Sequence, residues 1–224
     1  MKNMIGKDKK IIVLMPPKTA SNSLKETMSQ NGIQFSNPIK KISTPLIHLK
    51  LSEIVKIFEV NDLSEYKILQ VTRDPYTRFV SSYFHLMKIT HNVKSIKFSN
   101  YNFPTFTNHF YESIKSENFI KEFYGNTSFV EHCINNGISW GGTRLFETQK
   151  SWGDVESNVS YFKLEDISKE IVSLNNFLST EISSLSNINK SNLEHKYDLM
   201  LTPKIKDIIL EVFEEDFKFF NYEI

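Results

Sequence analysis

The sequence has little cysteine and no long apolar run. Cys133 is the only cysteine among the 224 residues, so no disulfide can form within the chain, and a reducing compartment is expected. The first apolar run, Ile11–Met15, has only five residues and is too short for a signal-peptide core or a membrane span. We therefore expect a cytoplasmic protein that is not an integral membrane protein.

The sequence also lacks an excess of charge of either sign. Lys and Arg together number 27 against 26 Asp and Glu, which gives a formal net charge of +1. This balance gives no reason to expect a nucleic-acid partner, so any anion site must arise from local placement of charge. No cluster of His, Cys and carboxylates has metal-ligand spacing, and no metal is expected. The length predicts a single domain over residues 1–224.

Three apolar runs alternate with helical patterns along the chain. The predicted strands are Ile11–Met15, Lys67–Thr72 and Val159–Leu164. This alternation predicts an α/β domain with a mostly parallel sheet, in which ligands bind at the carboxyl ends of the strands. The predicted helices cover residues 20–30, a segment starting at Pro75, residues 105–124, residues 127–136 and a last segment starting at Pro203.

The first strand runs into a polar segment, Pro17–Ser23, which opens a helix. A helix start offers unpaired N–H groups and a partial positive charge, and Lys18 adds a full one, so the segment suits a phosphate. The alternative is an ordinary turn rich in cap-forming residues. The motif G-x-x-x-x-G-K-[ST] of ordinary nucleotide triphosphatases is absent. The other candidate contacts are Thr19, Ala20, Ser21, Asn22 and Ser23.

The second strand ends at a segment that reads RDPYTRFVSSY and begins with Arg73. Its guanidinium and the hydroxyl of Ser81, about two helical turns later, form a suitable pair for a second phosphate. The alternative is that Arg73 pairs with a carboxylate and that Ser81 is a solvated helix residue.

Together the two segments resemble the PAPS-dependent sulfotransferases. In that family the 5′-phosphosulfate loop reads much like PKTxxTS, and the 3′-phosphate motif reads like RDPxxRxxSxY. Arg73 and Ser81 have the family's separation of eight positions. The resemblance implies a P-loop-containing, three-layer α/β/α sandwich with a central, mostly parallel sheet. It also implies PAPS as sulfuryl donor, PAP as product and no metal.

Weaker similarities extend the resemblance over nearly the whole chain, and they point to the bacterial and Golgi-type carbohydrate branch. Asn22 departs from the family pattern, because Thr or Ser usually stands there. Golgi-type members carry a membrane anchor, so the chain is identified with the soluble bacterial branch. The similar segments are Ile47–Ile54, Gln149–Trp152, Tyr161–Ile167, Asn189–Ser191 and Glu215–Tyr222.

The resemblance and the chemistry of the residues together predict roles in transfer. Lys18 is expected to stabilise charge on the departing 5′-phosphate, while Arg73 and Ser81 hold the 3′-phosphate, with Lys190 or Ser191 as possible further contacts.

The acceptor's proton needs a base, and histidine suits that role because it changes charge near neutral pH. His48 is the first candidate, since its segment resembles the family's and lies between the two phosphate motifs. Glu53 and His109 are the alternatives.

A carbohydrate or glycolipid acceptor is expected from the motif variants. The aromatic stretch at residues 98–111 and Trp140 suit a sugar ring, although the stretch equally suits a loop folded onto the core. A non-catalytic PAP- or glycan-binding protein and a P-loop small-molecule kinase remain as alternative functions. The sequence leaves the oligomeric state open.

Overall fold

The computed structural model describes residues 5–6, 10–33, 48–90, 96–125, 143–155, 158–185 and 194–224. The chain divides into two compact units. The first unit comprises Met1–Asp74 and Glu147–Ser191, and the second comprises Pro75–Phe146 and Asn192–Ile224. The expectation of one domain over residues 1–224 stays a prediction.

The first unit contains a four-stranded sheet in the order β1-β2-β3-β4. The strands are β1 (Ile5–Gly6), β2 (Ile11–Leu14), β3 (Lys67–Thr72) and β4 (Val159–Lys163). β1 is antiparallel to β2, whereas β2, β3 and β4 are parallel. The predicted α/β class with a mostly parallel sheet is confirmed, and β2 and β4 each end one residue earlier than predicted.

The helices connect and follow these strands. Two of them begin at a proline, as predicted, because the fixed φ angle of proline suits the first helical position. In chain order the helices are α1 (Ser21–Gln30), α2 (Leu51–Phe58), α3 (Pro75–Thr90), α4 (Phe103–Ile114), α5 (Phe119–Tyr124), α6 (Ile171–Leu178), α7 (Glu194–Met200) and α8 (Pro203–Phe220).

The core of the first unit is mainly aliphatic. All four residues of β2 are buried, as expected for a parallel strand covered on both faces. Side chains from three helices pack against the sheet in one apolar cluster. The register pairs Leu14 with Gln70 and Thr72 with Lys163, so β3 and β4 end close together. The helix contributions are Leu24 and Met28 from α1, Leu51 and Ile54 from α2, and Leu174 and Leu178 from α6.

The core of the second unit is mainly aromatic. The ring of Phe79 lies 5.2 Å from that of Phe110 and 6.2 Å from that of Phe213, measured between centroids. Phe98 and Phe106 are fully buried in the same cluster. The phenylalanines of residues 98–111 therefore form core, and the alternative of a segment folded onto the core is confirmed. Much of this stretch is helix α4, which begins two residues before the predicted start.

A buried ion pair lies within the second unit. Arg78, which belongs to the RDPYTR segment, is only 2% exposed, and its Nη1 lies 3.8 Å from Oδ2 of Asp216. Its Nη2 donates a hydrogen bond to the carbonyl oxygen of Leu145 at 3.1 Å. Arg78 is therefore a structural residue of this unit. The predicted helix at residues 127–136, and Trp140, lie outside the described residues.

Candidate functional site

The loop between β2 and α1 contains two residues with left-handed backbone geometry. Lys18 has φ 69° and Ala20 has φ 59°, although neither residue is glycine. Such a conformation costs about 1–2 kcal/mol per residue for an L-amino acid. Strained loops of this kind cluster at functional sites, and left-handed residues occur in anion-binding backbone nests. The geometry supports an anion site in this loop.

One carbonyl oxygen holds the loop in shape. The hydroxyl of Thr19 donates to the carbonyl of Pro16 at 2.7 Å, and the hydroxyl of Ser21 donates to the same oxygen at 3.1 Å. A hydroxyl has only one proton to donate. In this arrangement the two side chains therefore stabilise the turn, and their predicted contact with phosphate stays a prediction.

The start of α1 is suited to receive an anion. Ala20 occupies the N-cap position and makes no side-chain cap hydrogen bond to the first turn. The N-terminal amide groups of a helix are the ones that can donate to a phosphate. Asn22 is exposed and Ser23 is buried in this first turn. Their predicted phosphate contacts also stay predictions.

Arg73 directly follows β3 and reaches the loop after β2. Its Nη1 donates to the carbonyl oxygen of Lys18 at 3.2 Å. The two residues predicted to hold the nucleotide from different strand ends are thus in direct contact within the first unit. Ser81 lies on α3 in the second unit and is partly exposed, so its pairing with Arg73 stays a prediction. Lys190 and Ser191 lie outside the described residues.

The backbone of Arg73 is held by a buried glutamine, Gln149, for which the sequence motifs predict no role. Oε1 of Gln149 accepts from the N–H of Arg73, and Nε2 of Gln149 donates to its carbonyl oxygen, both at 2.8 Å. Gln149 is fully buried, and its own carbonyl accepts from Nε2 of Gln70 at 2.8 Å. Sequence alone offered only the similarity of residues 149–152 to a family segment, because the contact spans 76 positions.

His48 is attached to the end of β2. Its Nδ1 lies 2.7 Å from the carbonyl oxygen of Met15. Because a carbonyl oxygen can only accept, Nδ1 carries a proton, and in the neutral ring Nε2 is the basic nitrogen. The ring meets Trp152 edge-on, with 6.3 Å between centroids. His48 is therefore oriented by Met15, the residue that precedes Pro16, beside the loop between β2 and α1.

The two alternative bases have structural partners. Oε2 of Glu53 accepts from the N–H of Lys50 at 2.8 Å in the first turn of α2. Nε2 of His109 donates to the carbonyl of Phe123 at 3.0 Å in the second unit, and the two rings stack. Burial lowers the pKa of His109, and the hydrogen bond to Phe123 partly opposes that shift. His48, Glu53 and His109 thus all make hydrogen bonds within the protein, and the assignment of the base to His48 stays a prediction.

The beginning of α2, just after His48, is fixed to the segment that contains Gln149. Asp154 accepts from both the N–H of Ser52, at 2.9 Å, and its hydroxyl, at 2.6 Å. Nζ of Lys50 lies 3.2 Å from Oε2 of Glu147. Residues 147–154 therefore connect the strand end that carries Arg73 with the helix that follows His48.

Over the same described ranges, no group of three or more His, Cys, Asp or Glu side chains is placed to hold a metal ion. Within those ranges, no helix combines the length and the apolar character needed to span a bilayer.

The family model described as "Sulfotransferase family" matches residues 2–223. The chain therefore belongs to the sulfotransferase family, and it is an enzyme of the class that transfers sulfuryl groups. The family implies PAPS as the donor. The predicted family is confirmed, and the strand-end loop agrees with the P-loop fold expected of its members.

The solved structures similar to the chain include two at low identity. A sulfotransferase from Alicyclobacillus acidocaldarius is 13% identical with a TM-score of 0.44, and the match covers 96% of this chain and 97% of that one. Mouse sulfotransferase SULT7A1 complexed with PAP is 15% identical with a TM-score of 0.46, and the match covers 96% and 87%. No curated protein matches the chain.

The left-handed geometry of Ala20 generates a test of the loop. Ala20→Val should destabilise the protein by about 1–2 kcal/mol or more, because a β-branched side chain is poorly tolerated at positive φ. Ala20→Gly, the matched control, should change stability by less than about 1 kcal/mol, since glycine adopts this geometry readily. Urea unfolding measures both, and equal stability of the two variants would contradict the loop geometry.

Proposed function

We propose that this sulfotransferase moves the sulfuryl group of PAPS to a hydroxyl of a carbohydrate or glycolipid and releases PAP. The contact between the guanidinium of Arg73 and the carbonyl of Lys18 carries the proposal. It brings together two cationic residues from neighbouring parallel strand ends, where α/β sheets bind ligands. PAPS carries phosphate groups at the 3′ and 5′ positions of its ribose, so two adjacent anion-binding elements suit it.

The donor's 5′-phosphate would lie on the loop before α1. The N–H groups from Lys18 to Ser23, the ammonium group of Lys18 and the partial charge of the helix start all favour an anion there. The small side chain of Ala20 allows a phosphate to approach the backbone. Asn22 is proposed as a further contact with the phosphate. Thr19 and Ser21 contribute chiefly by holding the turn, since their hydroxyls donate to the carbonyl of Pro16.

The 3′-phosphate would be read by Arg73. A guanidinium offers several donors in a fixed fork, and bonds between charged partners are stronger than neutral ones. The spacing to Ser81 and the family pattern support a second donor from α3. Lys190 and Ser191 are proposed as further contacts on the strength of the resemblance alone.

Transfer requires an exchange of bonds at sulfur. The acceptor oxygen forms a new bond to sulfur, while the bond between sulfur and the oxygen of the 5′-phosphate breaks. PAP leaves with that electron pair, and Lys18 would stabilise the charge that develops on the oxygen. Such reactions depend mainly on positioning and charge stabilisation.

His48 would remove the acceptor's proton. Its Nδ1 proton is directed to the carbonyl of Met15, so the basic Nε2 is the nitrogen that takes up the hydroxyl proton. The same hydrogen bond stabilises the imidazolium that results. This orientation, beside the loop between β2 and α1, supports the proposal of His48 as the base over Glu53 and His109.

The proposal of a carbohydrate or glycolipid acceptor rests on the motif variants that resemble the carbohydrate branch of the family. The phenylalanines of residues 98–111 are buried and give this proposal no support. Membership of the sulfotransferase family argues against the P-loop kinase alternative. A non-catalytic binding protein was considered because Asn22 departs from the family pattern. Asn22 is exposed, so its amide is accessible at the start of α1.

PAP release tests the proposed function directly. With PAPS and a panel of glycan and glycolipid acceptors, PAP should accumulate faster than without acceptor, and in EDTA as well as in Mg²⁺. Nucleotide specificity is measured in parallel. Arg73→Ala should lower the affinity for PAP by roughly 10- to 100-fold, because a charge-assisted hydrogen bond contributes about 1.5–3 kcal/mol. Its affinity for 5′-AMP should change far less.

Two outcomes would count against this function. Binding of PAP without acceptor-dependent release across the panel would favour the non-catalytic alternative. Equal losses for PAP and 5′-AMP in the Arg73 variant would show that this residue does not read the 3′-phosphate.

Lys18→Ala should reduce transfer more than donor binding. The ammonium interacts more strongly with the charge that develops in the transition state than with the bound donor, and only that difference accelerates the reaction. Loss of one such donor costs about 10²–10³-fold in rate. Single-turnover rates at saturating PAPS and calorimetric PAP affinities measure the two effects.

Lys10→Ala is the matched control for this experiment. Lys10 is also a lysine with positive φ, but it precedes β2 and pairs with Glu65. Its substitution should leave the rate unchanged. A Lys18→Ala enzyme with a near-normal rate would refute the role of Lys18.

His48→Gln should lower turnover by about 10²–10⁴-fold, as expected for loss of a general base, with PAP affinity nearly unchanged. The wild-type rate should fall at acidic pH, because a protonated imidazole cannot accept the hydroxyl proton. That acidic limb should disappear in the variant. His85→Gln, at an exposed position of α3, is the control and should keep the wild-type profile. A retained acidic limb in His48→Gln would assign the base to another group.

A further inference from the structure

Gln149 is a fully buried polar side chain close to the proposed donor site. Its exposure is 0%, and its amide pairs with both backbone groups of Arg73 at 2.8 Å. With these two hydrogen bonds, the side chain of Gln149 pairs with Arg73 as the backbone of a neighbouring strand would. Because β3 ends at Thr72, the sheet ladder no longer holds Arg73, and the glutamine does so in its place.

The position of Gln149 is itself determined from the sheet. Its carbonyl accepts from Nε2 of Gln70, a fully buried residue of β3 that pairs with Leu14 and Tyr161 in the sheet. Gln149 also directly precedes the short 3₁₀ helix Lys150–Trp152, whose tryptophan is fully buried. The glutamine is therefore held at both its backbone and its side chain. A buried amide with all these bonds has little freedom to move.

From this geometry we infer that Gln149 is a positioning residue that fixes the guanidinium of Arg73 for donor binding. The inference rests on the proposed function. Fixing the peptide groups on both sides of its Cα fixes the direction in which the Arg73 side chain leaves the strand. From there Nη1 donates to the carbonyl of Lys18, a residue with left-handed geometry. Gln149 thereby acts on both proposed anion-binding elements through Arg73.

The experiment replaces Gln149 by leucine, which has similar size and makes no hydrogen bond. Gln149→Leu should lower the affinity for PAP about tenfold, since two hydrogen bonds that orient Arg73 are lost. The effect should run through Arg73. In an Arg73→Ala background, the same substitution should therefore change PAP affinity by less than about twofold, so the two substitutions should not be additive.

Asn175 supplies a matched control within the first unit. Its amide likewise binds both backbone groups of one residue, with Oδ1 accepting from the N–H of Ile182 at 2.7 Å and Nδ2 donating to its carbonyl at 2.8 Å. Asn175→Leu should lower the melting temperature yet leave PAP affinity unchanged. If both amide variants weaken PAP binding equally, Gln149 acts only through stability and the inference is overturned.

Gln149→Met covers the case in which the leucine variant does not fold. Methionine has the length of glutamine but cannot make the two amide hydrogen bonds to Arg73, so PAP affinity should fall, again only where Arg73 is present. Wild-type affinity in this variant, or an equal loss with and without Arg73, would overturn the inference. Failure of the wild type to prefer PAP over 5′-AMP would instead reject the proposed function.

Discussion

The left-handed backbone at Lys18 is the constraint on which the proposed site depends. An L-residue resists this conformation, so the loop needs contacts that hold it. The structure supplies them from two sides, because Thr19 and Ser21 donate to the carbonyl of Pro16 while Arg73 donates to the carbonyl of Lys18. The same turn directs the chain into α1, whose first amide groups are the natural partners of a phosphate. Local strain and the proposed anion binding are thus two aspects of one loop.

Two neighbouring backbone carbonyl groups hold different parts of the proposed site. The carbonyl of Met15 orients His48, and the next one along the chain, that of Pro16, holds the loop between β2 and α1. The candidate base and the proposed leaving-group site are therefore attached to adjacent residues at the end of one buried strand. Such rigid attachment suits a reaction in which the enzyme contributes mainly position and charge.

Much of the fold could be predicted from the sequence, since its signals are local. Apolar runs predict the strands, and proline at the first helical position predicts the starts of α3 and α8. The loop between β2 and α1 could be predicted as a phosphate site because its residue types and spacing are unusual at a strand end. Lys18 and Arg73 were predicted to serve different phosphates, and the structure shows them in contact.

Other features depend on distant contacts and left no local signal. Gln149 meets Arg73 across 76 positions, and nothing in its immediate neighbours marks it as a backbone partner. The phenylalanines of residues 98–111 suited a sugar platform as well as a core, and only packing in the second unit distinguishes the two. Lys190 and Ser191 keep the roles that the resemblance implies, and those roles stay predictions.

A crystal structure of the PAP complex tests the central claim most directly. The account predicts the 5′-phosphate within about 2.7–3.2 Å of amide nitrogens between Lys18 and Ser23, and the 3′-phosphate within the same distance of the guanidinium of Arg73. A nucleotide bound away from these strand ends, or one with its 3′-phosphate in the loop before α1, would contradict it.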